Sequence, residues 1–337
     1  MNLDIITLSH GSGGRATNKL IKDLFYKHFT NEYLAQENDS KVLPKINGKL
    51  AVTTDSFVIN PLFFKGGDIG KLSICGTVND LAMSGAKPLY ITVGFIIEEG
   101  LLLSDLEKIV ISMAETAKEA KVKIVTGDTK VVEKGSGDGI FINTTGIGVI
   151  EDSNLCIGGD KASAGDKIII SGTIGDHGIA IMNMRKNLDF DVEIESDCGL
   201  LNGLIENILN TSKKVKVLRD PTRGGVATTL NEIAKHSLVS MEIDEEKLPI
   251  KEEVSSMCDI LGLDTLFIAN EGKLLVIAEN EDAEKILNTM KKHPMGKDAA
   301  IIGEVVNDEK NRVYLKTEIG GKRIINMPEG ELLVRIC

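Results

Sequence analysis

The feature that most constrains the fold of this chain is an alternation of strand-like and helix-like segments that stops once and then restarts. Short runs rich in Val, Ile and Thr predict strands, and segments with apolar residues at helical spacing lie between them. The alternation is interrupted at residues 151–165, a stretch that contains Gly158, Gly159 and Asp160. Two α/β domains in tandem follow from this pattern, although it does not show which strands pair.

The predicted elements are short, as expected for α/β domains. The first half has strands at Ile5–Leu8, Leu50–Ile59, Leu89–Ile97, Val122–Val132 and Ile140–Ile150, with helices at Thr17–Phe29 and Asp68–Ser84 and a third that starts at a capping box of Ser104 and Glu107. The second half has strands at Lys167–Ser171, Val239–Ile243, Leu274–Ala278, Ala300–Val306 and Arg312–Lys316, with helices at Gly178–Met184, Leu200–Leu209, Gly225–Lys235, Glu252–Ile260 and Glu281–Met290.

Charge and hydropathy exclude some classes of protein. A net charge of −11 argues against nucleic-acid binding, which needs a basic surface, but it permits nucleotide binding through backbone amides and a divalent cation. The longest apolar run, Tyr90 to Ile97, is far shorter than the roughly 20 residues that span a bilayer. With no basic and apolar leader, the protein is expected to be cytoplasmic.

The cysteines are odd in number and widely spaced, and none forms a CxxC pair, so neither a zinc site nor a disulfide framework is predicted. Cys75, Cys156, Cys198 and Cys258 lie among apolar or mixed residues and are interpreted as structural. Cys337 is different because it is the last residue, where a thiol is expected to be mobile and exposed. It is either a carrier thiol or an incidental terminal cysteine.

Three acidic residues have small or hydroxyl neighbours in similar motifs. Asp55 lies in Thr-Thr-Asp-Ser, Asp80 in Val-Asn-Asp-Leu-Ala and Asp128 in Thr-Gly-Asp-Thr. Magnesium prefers such oxygen ligands together with phosphate oxygens, and a cation would relieve the repulsion between converging carboxylates. The sequence therefore predicts a magnesium site if the three converge, although each alone is also typical of a turn, a cap or a paired acid.

A glycine-rich segment, His-Gly-Ser-Gly-Gly-Arg, precedes the first predicted helix. Backbone amides of Gly11, Gly13 and Gly14 could bind phosphate there. The segment lacks the lysine of a Walker loop and matches the dinucleotide pattern GxGxxA only loosely, because no strand with an acidic ribose ligand follows it. Two further glycine turns, one with Asp176 and His177 and one at residues 220–225, are also typical of ordinary helix starts.

Taken in order, these motifs resemble those of one family over essentially the whole chain. The motifs are HGSGGR, TTDSF, the run Gly76 to Pro88, TGDTKVV, SGTIGDHG, DPTRGG and the terminal Arg335-Ile336-Cys337. They resemble the HypE family of [NiFe]-hydrogenase maturation factors, which belongs to the ATP-binding superfamily of aminoimidazole ribonucleotide synthetase, selenophosphate synthetase and thiamine monophosphate kinase.

The resemblance implies a two-domain aminoimidazole ribonucleotide synthetase-like fold of mixed α/β type. Residues 1–155 would form an ATP-binding domain whose sheet pairs in a homodimer, residues 156–325 an α/β domain, and residues 326–337 a flexible tail. It also implies ATP and Mg²⁺ as cofactors. In the family, a carbamoyltransferase, HypF, loads the terminal cysteine, the carbamoyl group is dehydrated to a thiocyanate, and the cyano group passes to iron on the HypC and HypD scaffold.

Residue roles are carried over from the family motifs to matching positions. Cys337 would bear the substrate, Lys134 or Glu271 would take the amide protons, and Asp55, Asp80 and Asp128 would hold magnesium. The residues expected to contact ATP are Gly11, Gly13, Gly14, Asn79, Thr126, Gly127, Asp176 and His177. Fully extended, the tail beyond Pro328 would reach roughly 30 Å, and its apolar residues Leu332, Leu333, Val334 and Ile336 could dock it in the cleft.

Two alternatives stay open on sequence grounds. A selenophosphate synthetase-like enzyme would need a cysteine or selenocysteine in the N-terminal loop, but no cysteine precedes Cys75. A noncatalytic, ATP-responsive scaffold for metallocentre assembly would use the tail for docking alone. Replacing Cys337 distinguishes the scaffold, which should tolerate the change, from the carrier enzyme, which should not.

Overall fold

A computed structural model describes residues 5–36, 38, 40–186, 194–308, 310–330 and 335–337. Its helices are α1 Arg15–Leu20, α2 Ile69–Met83, α3 Leu103–Ala120, α4 Asp176–Lys186, α5 Asn202–Thr211, α6 Gly225–Ser237, α7 Glu252–Leu261 and α8 Asn280–Met290. Its strands are β1 Lys49–Phe57, β2 Phe63–Phe64, β3 Gly67–Asp68, β4 Lys87–Glu98, β5 Lys123–Val132, β6 Ile140–Ile150, β7 Lys167–Ile170, β8 Val215–Arg219, β9 Ser240–Asp244, β10 Leu275–Ala278, β11 Ala300–Val306, β12 Val313–Lys316 and β13 Lys322–Ile325.

The first sheet has four strands in the order β1-β6-β4-β5 and is covered on one face only. Helices α2 and α3 pack on that face, where side chains such as Ile91, Val93 and Ile142 are buried. Alternate residues point away from the helices, and Leu50 and Val52 on β1 remain 62% and 67% exposed. This half-buried alternation is typical of a sheet with one open face.

The second sheet has seven strands in the order β13-β12-β9-β11-β7-β10-β8. Strand β7 is buried on both faces, which explains its continuous run of isoleucines. On one face Ile168 and Ile170 pack in an apolar cluster with α6, and on the other Ile169 packs in a cluster with α5 and α8. The proposed domain boundary near residue 155 falls between β6, the last strand of the first sheet, and β7, the first strand of the second.

Most predicted elements are present within a few residues of their expected bounds. The strand predicted at Ile5–Leu8 is wrong, because Ile5 forms only an isolated bridge to Leu102 and a 3₁₀ turn begins at Leu8. The capping box of Ser104 and Glu107 is also wrong, since the helix is capped by Leu102 without a side-chain hydrogen bond. Strands β2, β3, β8 and β13 were not predicted.

Helix α2 connects the two halves. It is buried on almost every side, and Asp68 caps its first turn by accepting hydrogen bonds from the Gly70 and Lys71 amides. The side-chain amide of Asn79 donates to the Gly199 carbonyl at 3.0 Å and accepts from the Leu201 amide at 2.8 Å. Among the described helices, none has the length and apolar character needed to cross a membrane.

Candidate active site

A cleft of about 1040 Å³ lies where β1 and the end of α2 face the end of β8 and the start of α6. Its walls carry both signs of charge. The charged residues and the thiol that line it are Asp55, Asp80, Arg219, Asp220, Arg223, Glu232, Glu271 and Cys337. Several of the motifs singled out in the sequence therefore meet in one cavity between the two sheets.

Three carboxylates converge in this cleft. Thr53 Oγ1 donates to Asp80 Oδ2 at 2.8 Å, but burial raises the pKa of Asp80 more than this bond lowers it, and Asp55 adds to the rise. Burial, and then the charge of Asp80, raise the pKa of Asp220 to about 7, with a smaller contribution from Asp55. A cation bound here would favour the charged forms of these carboxyl groups.

The sequence analysis did not identify Asp220 as a candidate, because it interpreted Asp-Pro-Thr-Arg-Gly-Gly as an ordinary turn before a helix. The position of Asp220 at the end of a strand could have identified it, but that strand, β8, was not predicted. Across the described residues, no group of three or more His, Cys, Asp or Glu side chains is arranged closely enough to hold a metal by itself. Magnesium commonly takes only one or two protein carboxylates together with phosphate oxygens, so the residues present fit that ion when a phosphate is also bound.

The structure does not bring Asp128 to this cluster. Asp55 lies in register with Thr144, Val93 and Gly127 across the sheet, so Asp128 is one residue out of that row and points to the opposite face. The two acids also lie on the two edge strands, roughly 14 Å apart at about 4.8 Å per strand. Asp128 is paired with Lys130, whose ammonium lowers its pKa. Within one chain, Asp128 therefore lies apart from Asp55 and Asp80, and the three aspartates do not converge.

Glu271 is a buried acid at the wall of the cleft. It is 5% exposed, and its Oε1 has no hydrogen-bond partner. Burial raises its pKa well above the ordinary value, and the neighbouring Cys198, Asp197, Asp220 and Asp55 raise it further. An unpartnered buried carboxyl of this kind is typical of a general acid or base.

Asp197 stabilises the turn at residues 271–272, which contains Glu271. Its carboxylate accepts from the amides of Glu271 at 3.0 Å and Gly272 at 3.3 Å, and pairs with Lys273 Nζ at 3.0 Å. Burial alone would raise the pKa of Asp197, but Lys273 holds it below the ordinary value. A Cβ atom at residue 272 would lie 1.8 Å from the Asp197 carbonyl oxygen, so only glycine fits. Sequence reasoning missed this buried ion pair because its members are distant along the chain.

The C-terminal residues lie against the first domain and end in the cleft. Ile336 is 3% exposed and packs in the core of the first domain, and Cys337 lines the cleft with Glu271. The Val58 amide donates to the Cys337 terminal oxygen at 3.1 Å, and Arg335 Nε donates to the Val58 carbonyl at 3.0 Å. The thiol is thus less exposed than expected. Leu332, Leu333 and Val334 lie outside the described residues.

The glycine loop lies against the far edge of the first sheet. A Cβ atom on Gly11 would lie 2.7 Å from the Val131 amide nitrogen of β5, and the Gly13 amide donates to Thr17 Oγ1 at 3.0 Å. Nearby is a second cavity of about 310 Å³, lined by Thr126, Gly127 and Asp128 and by the apolar side chains Ile21, Phe25, Tyr26, Phe29, Leu34, Val93, Phe95 and Ile124. Thr126, Gly127, Asp128 and the glycine loop therefore lie at the β5 edge of the first sheet, whereas Asp55 and Asp80 lie in the cleft at its β1 edge.

Four predicted site residues lie elsewhere. Both side-chain groups of Asn79 are used to connect α2 to residues 199–201. Asp176 is buried, accepts from Thr173 Oγ1 at 2.6 Å and pairs with Lys251 at 3.0 Å. The His177 ring is fully buried and bonded to the tail. Lys134 is exposed in a turn whose Gly135 amide donates to Glu98, and none of these four residues lines the cleft.

Comparisons with known proteins agree with these motifs. Family models match residues 37–150 as the AIR synthase related protein N-terminal domain and residues 163–316 as the C-terminal domain. The carbamoyl dehydratase HypE of Escherichia coli K12 is 49% identical, covering 98% of this chain and 99% of its own. That of Cupriavidus necator is 51% identical, with 98% and 95% covered.

Solved structures give the same relationship. The hydrogenase maturation protein HypE in complex with ATP superposes with a TM-score of 0.94 at 47% identity, covering 98% of this chain and 99% of that one. A HypE chain from a HypE–HypF complex gives 0.81 at 55% identity, with 92% and 99% covered. Thiamine monophosphate kinase of Aquifex aeolicus gives 0.62 at 21% identity, with 92% and 99% covered, which shows a shared fold only.

Proposed function

The chain belongs to the HypE family of AIR synthase-related proteins, and on that premise we propose that it is an ATP-dependent carbamoyl dehydratase acting on its own Cys337. It converts an S-carbamoyl group on this thiol to a thiocyanate and donates the cyano group to iron during [NiFe]-hydrogenase maturation. The observation that carries the proposal is the joint lining of one cleft by a terminal thiol and a buried, unpartnered carboxyl, Glu271.

The chemistry requires activation and then elimination. An amide oxygen is a poor leaving group, so it first takes a phosphoryl group from ATP and becomes a phosphate ester. Loss of that phosphate, with removal of the amide protons, leaves the carbon–nitrogen triple bond on sulfur. Glu271 is the proposed base, because it lines the same cleft as the thiol and its unpartnered oxygen can accept a proton. Lys134 is the second candidate, and it would have to reach the cleft from its exposed turn.

Asp55, Asp80 and Asp220 are the proposed magnesium-binding residues. Mg²⁺ supplies charge neutralisation for phosphate oxygens. The raised pKa values of Asp80 and Asp220 support this assignment, since a bound cation would restore the charged carboxylates. Arg219 and Arg223 line the same cleft and would bind phosphate oxygens directly.

A homodimer would bring together the predicted site residues at the two edges of the first sheet. The open face of the first sheet, with Leu50, Val52 and Ile96 exposed, is the surface proposed to meet a second copy. In such a dimer, a two-fold axis relates the two sheets, and they close into a barrel. The edge strand β1 of each chain then lies beside the edge strand β5 of the other, so neither sheet keeps an exposed edge. ATP would then contact Asp55 and Asp80 of one chain and the Gly11–Gly14 loop, Thr126, Gly127 and Asp128 of the other.

Mixing two inactive variants tests this arrangement. Asp55→Asn and Asp128→Asn should each be inactive alone, but mixed dimers should regain ATP-dependent dehydration, because one of their two sites then carries neither substitution. If both residues serve the site of their own chain, every site in a mixed dimer has one defect and no activity returns. A mixture of Asp55→Asn with Asp80→Asn is the matched control and should stay inactive.

The test of the catalytic role uses protein carbamoylated at Cys337. Glu271→Gln should slow the ATP-dependent loss of one water mass by about 10²- to 10⁴-fold, the usual contribution of a general base. ATP affinity should be unchanged. Glu284→Gln, at an exposed acid on α8 outside the cleft, is the control and should keep the rate. A Glu271→Gln protein with the wild-type rate would refute this role for Glu271.

Partners follow from the reaction. A carbamoyltransferase of the HypF type would load Cys337, and a HypC and HypD scaffold would present the iron that accepts cyanide, both in the cytoplasm. The Cys337→Ala variant should bind ATP and fail to support maturation. Maturation supported by that variant would instead favour the noncatalytic scaffold.

A further inference from the structure

A chain of hydrogen bonds runs through the protein interior to the C-terminal tail. The Cys198 amide lies 3.0 Å from Ser196 Oγ, Ser196 Oγ lies 2.7 Å from His177 Nδ1, and His177 Nε2 lies 2.7 Å from the Ile336 carbonyl oxygen. The His177 ring is fully buried and meets the Phe64 ring edge-to-face at 5.7 Å. The Ser196 amide is itself held by the Lys65 carbonyl at 2.9 Å.

The direction of every bond in this chain is determined. The Ile336 carbonyl can only accept, so His177 Nε2 carries the proton and donates. The neutral ring therefore accepts at Nδ1 from the Ser196 hydroxyl, and Ser196 Oγ in turn accepts from the Cys198 amide. Burial lowers the pKa of His177, which agrees with a neutral ring. Ser196 thus selects the tautomer that can hold the tail.

The tail is held through its backbone and through Arg335. His177 binds the Ile336 carbonyl, and Val58 binds the terminal oxygen of Cys337. Arg335 is held by its bond to the Val58 carbonyl and by an ion pair with Asp138. These contacts recognise the backbone and the Arg335 side chain, neither of which changes when the Cys337 thiol is carbamoylated or cyanated.

We propose that His177 is a positioning residue that seats the C-terminal cysteine in the cleft, with Ser196 fixing the tautomer that does so. Its ring is fully buried and does not line the cleft, whereas its motif predicted a contact with ATP. The effect on reaction rate rests on the proposed function, whereas the effect on tail docking does not.

The experiment measures docking directly in the full-length protein. Iodoacetamide labelling, read by mass spectrometry of each cysteine peptide, gives the rate at Cys337 relative to exposed Cys156. His177→Phe removes the donor but keeps an aromatic ring, and loss of one buried hydrogen bond should raise this ratio by about tenfold. Ser196→Ala, which changes little volume, should raise it less. His177→Gln retains an amide donor toward Ile336 and should restore most of the protection.

Controls separate positioning from general destabilisation. His236→Gln, at an exposed histidine on α6, should leave the ratio unchanged. Buried Cys75 and Cys198 should stay unlabelled in every variant, because only the tail is released. Labelling of all cysteines together in His177→Phe, without protection in His177→Gln, would show a merely structural histidine and overturn the proposal.

The reaction provides the second measurement. On carbamoylated protein, the first-order rate of ATP-dependent dehydration should fall by about the factor by which docking weakens, while ATP affinity is unchanged. Absence of dehydration in carbamoylated protein without any substitution would refute the proposed function and leave the labelling result standing. Unchanged labelling at Cys337 in both His177→Phe and Ser196→Ala would refute the positioning role, whatever the rates.

Discussion

The two sheets of this protein bury their strands in different ways. In the seven-stranded sheet, Ile168, Ile169 and Ile170 of β7 are all fully buried, because helices cover both faces. In the four-stranded sheet, β1 alternates between partly buried and exposed residues, and Val52 is 67% exposed. The first arrangement is complete within one chain, whereas the second leaves an apolar face uncovered.

This difference separates stability from function. Apolar surface left in water contributes nothing to folding, and a contiguous exposed patch usually marks an interaction site. The open sheet also carries Asp55 and Asp128 on its two edges, whereas the closed sheet contributes Asp220 from the end of its own edge strand. The cleft therefore lies between two different domains. The domain with the seven-stranded sheet, here called the closed half, can hold Asp220 in a fixed position. The domain with the four-stranded sheet, the open half, has an apolar face that suits it to association with a second copy.

Ile169→Ala gives the largest expected effect, because it removes a fully buried side chain between β7 and two helices. Such substitutions cost about 2–5 kcal/mol of unfolding free energy, from lost burial and the cavity left behind. Urea unfolding of the intact protein measures it. A cost below 1 kcal/mol would mean that the closed half is not tightly packed.

Asp220→Asn tests whether the buried carboxyl in the cleft between the two sheets keeps its proton. Since the folded-state pKa of Asp220 is raised to about 7, the unfolded chain releases this proton first, and the contribution of Asp220 to stability falls as pH rises from about 4 to about 7. The substitution should therefore stabilise the protein by roughly 1–4 kcal/mol above pH 7 and by little near pH 4. Partial exposure of Asp220 to the cleft screens its charge and keeps the effect below the full value of the pKa shift.

Unfolding at a series of pH values, with and without Mg²⁺, measures this effect. Magnesium should stabilise the wild-type protein above pH 7 and have less effect on Asp220→Asn, provided that nucleotide is present to complete the ion's ligands. Equal pH dependence in the two proteins would show that Asp220 does not keep its proton.

Asn79→Ala tests the connection between the halves. The substitution leaves the Gly199 carbonyl and the Leu201 amide without their partner, and an unsatisfied buried group costs about 1–3 kcal/mol. Differential scanning calorimetry should show a lower melting temperature with the halves still unfolding together. ATP affinity should be nearly unchanged, and a large loss of affinity at wild-type stability would support the original assignment of Asn79 to the nucleotide.

Local patterns in the sequence predicted most elements, including β6 and β11 with the bounds that the structure has. Side-chain periodicity and turn residues depend on neighbours along the chain, which a sequence displays. The failures depend on neighbours in space. Asp128 was grouped with Asp55 because their motifs look alike, and only the strand order and register show that they point to opposite faces. Asp197 and Lys273 were missed for the same reason.

Val52→Ala has the smallest expected effect and tests the open face. At low protein concentration the change should alter the unfolding free energy by less than about 0.5 kcal/mol, as for other exposed positions. At high concentration the cost should rise, because an interface formed between two copies adds stability by mass action and Val52 would lie within it. Ile169→Ala, in contrast, should cost the same at both concentrations.

Urea unfolding of the two variants at the two concentrations measures these costs in unfolding free energy, and sedimentation gives the oligomeric state. A cost of several kcal/mol for Val52→Ala at low concentration would show that this face is covered within its own chain, and the contrast between the two sheets would fail.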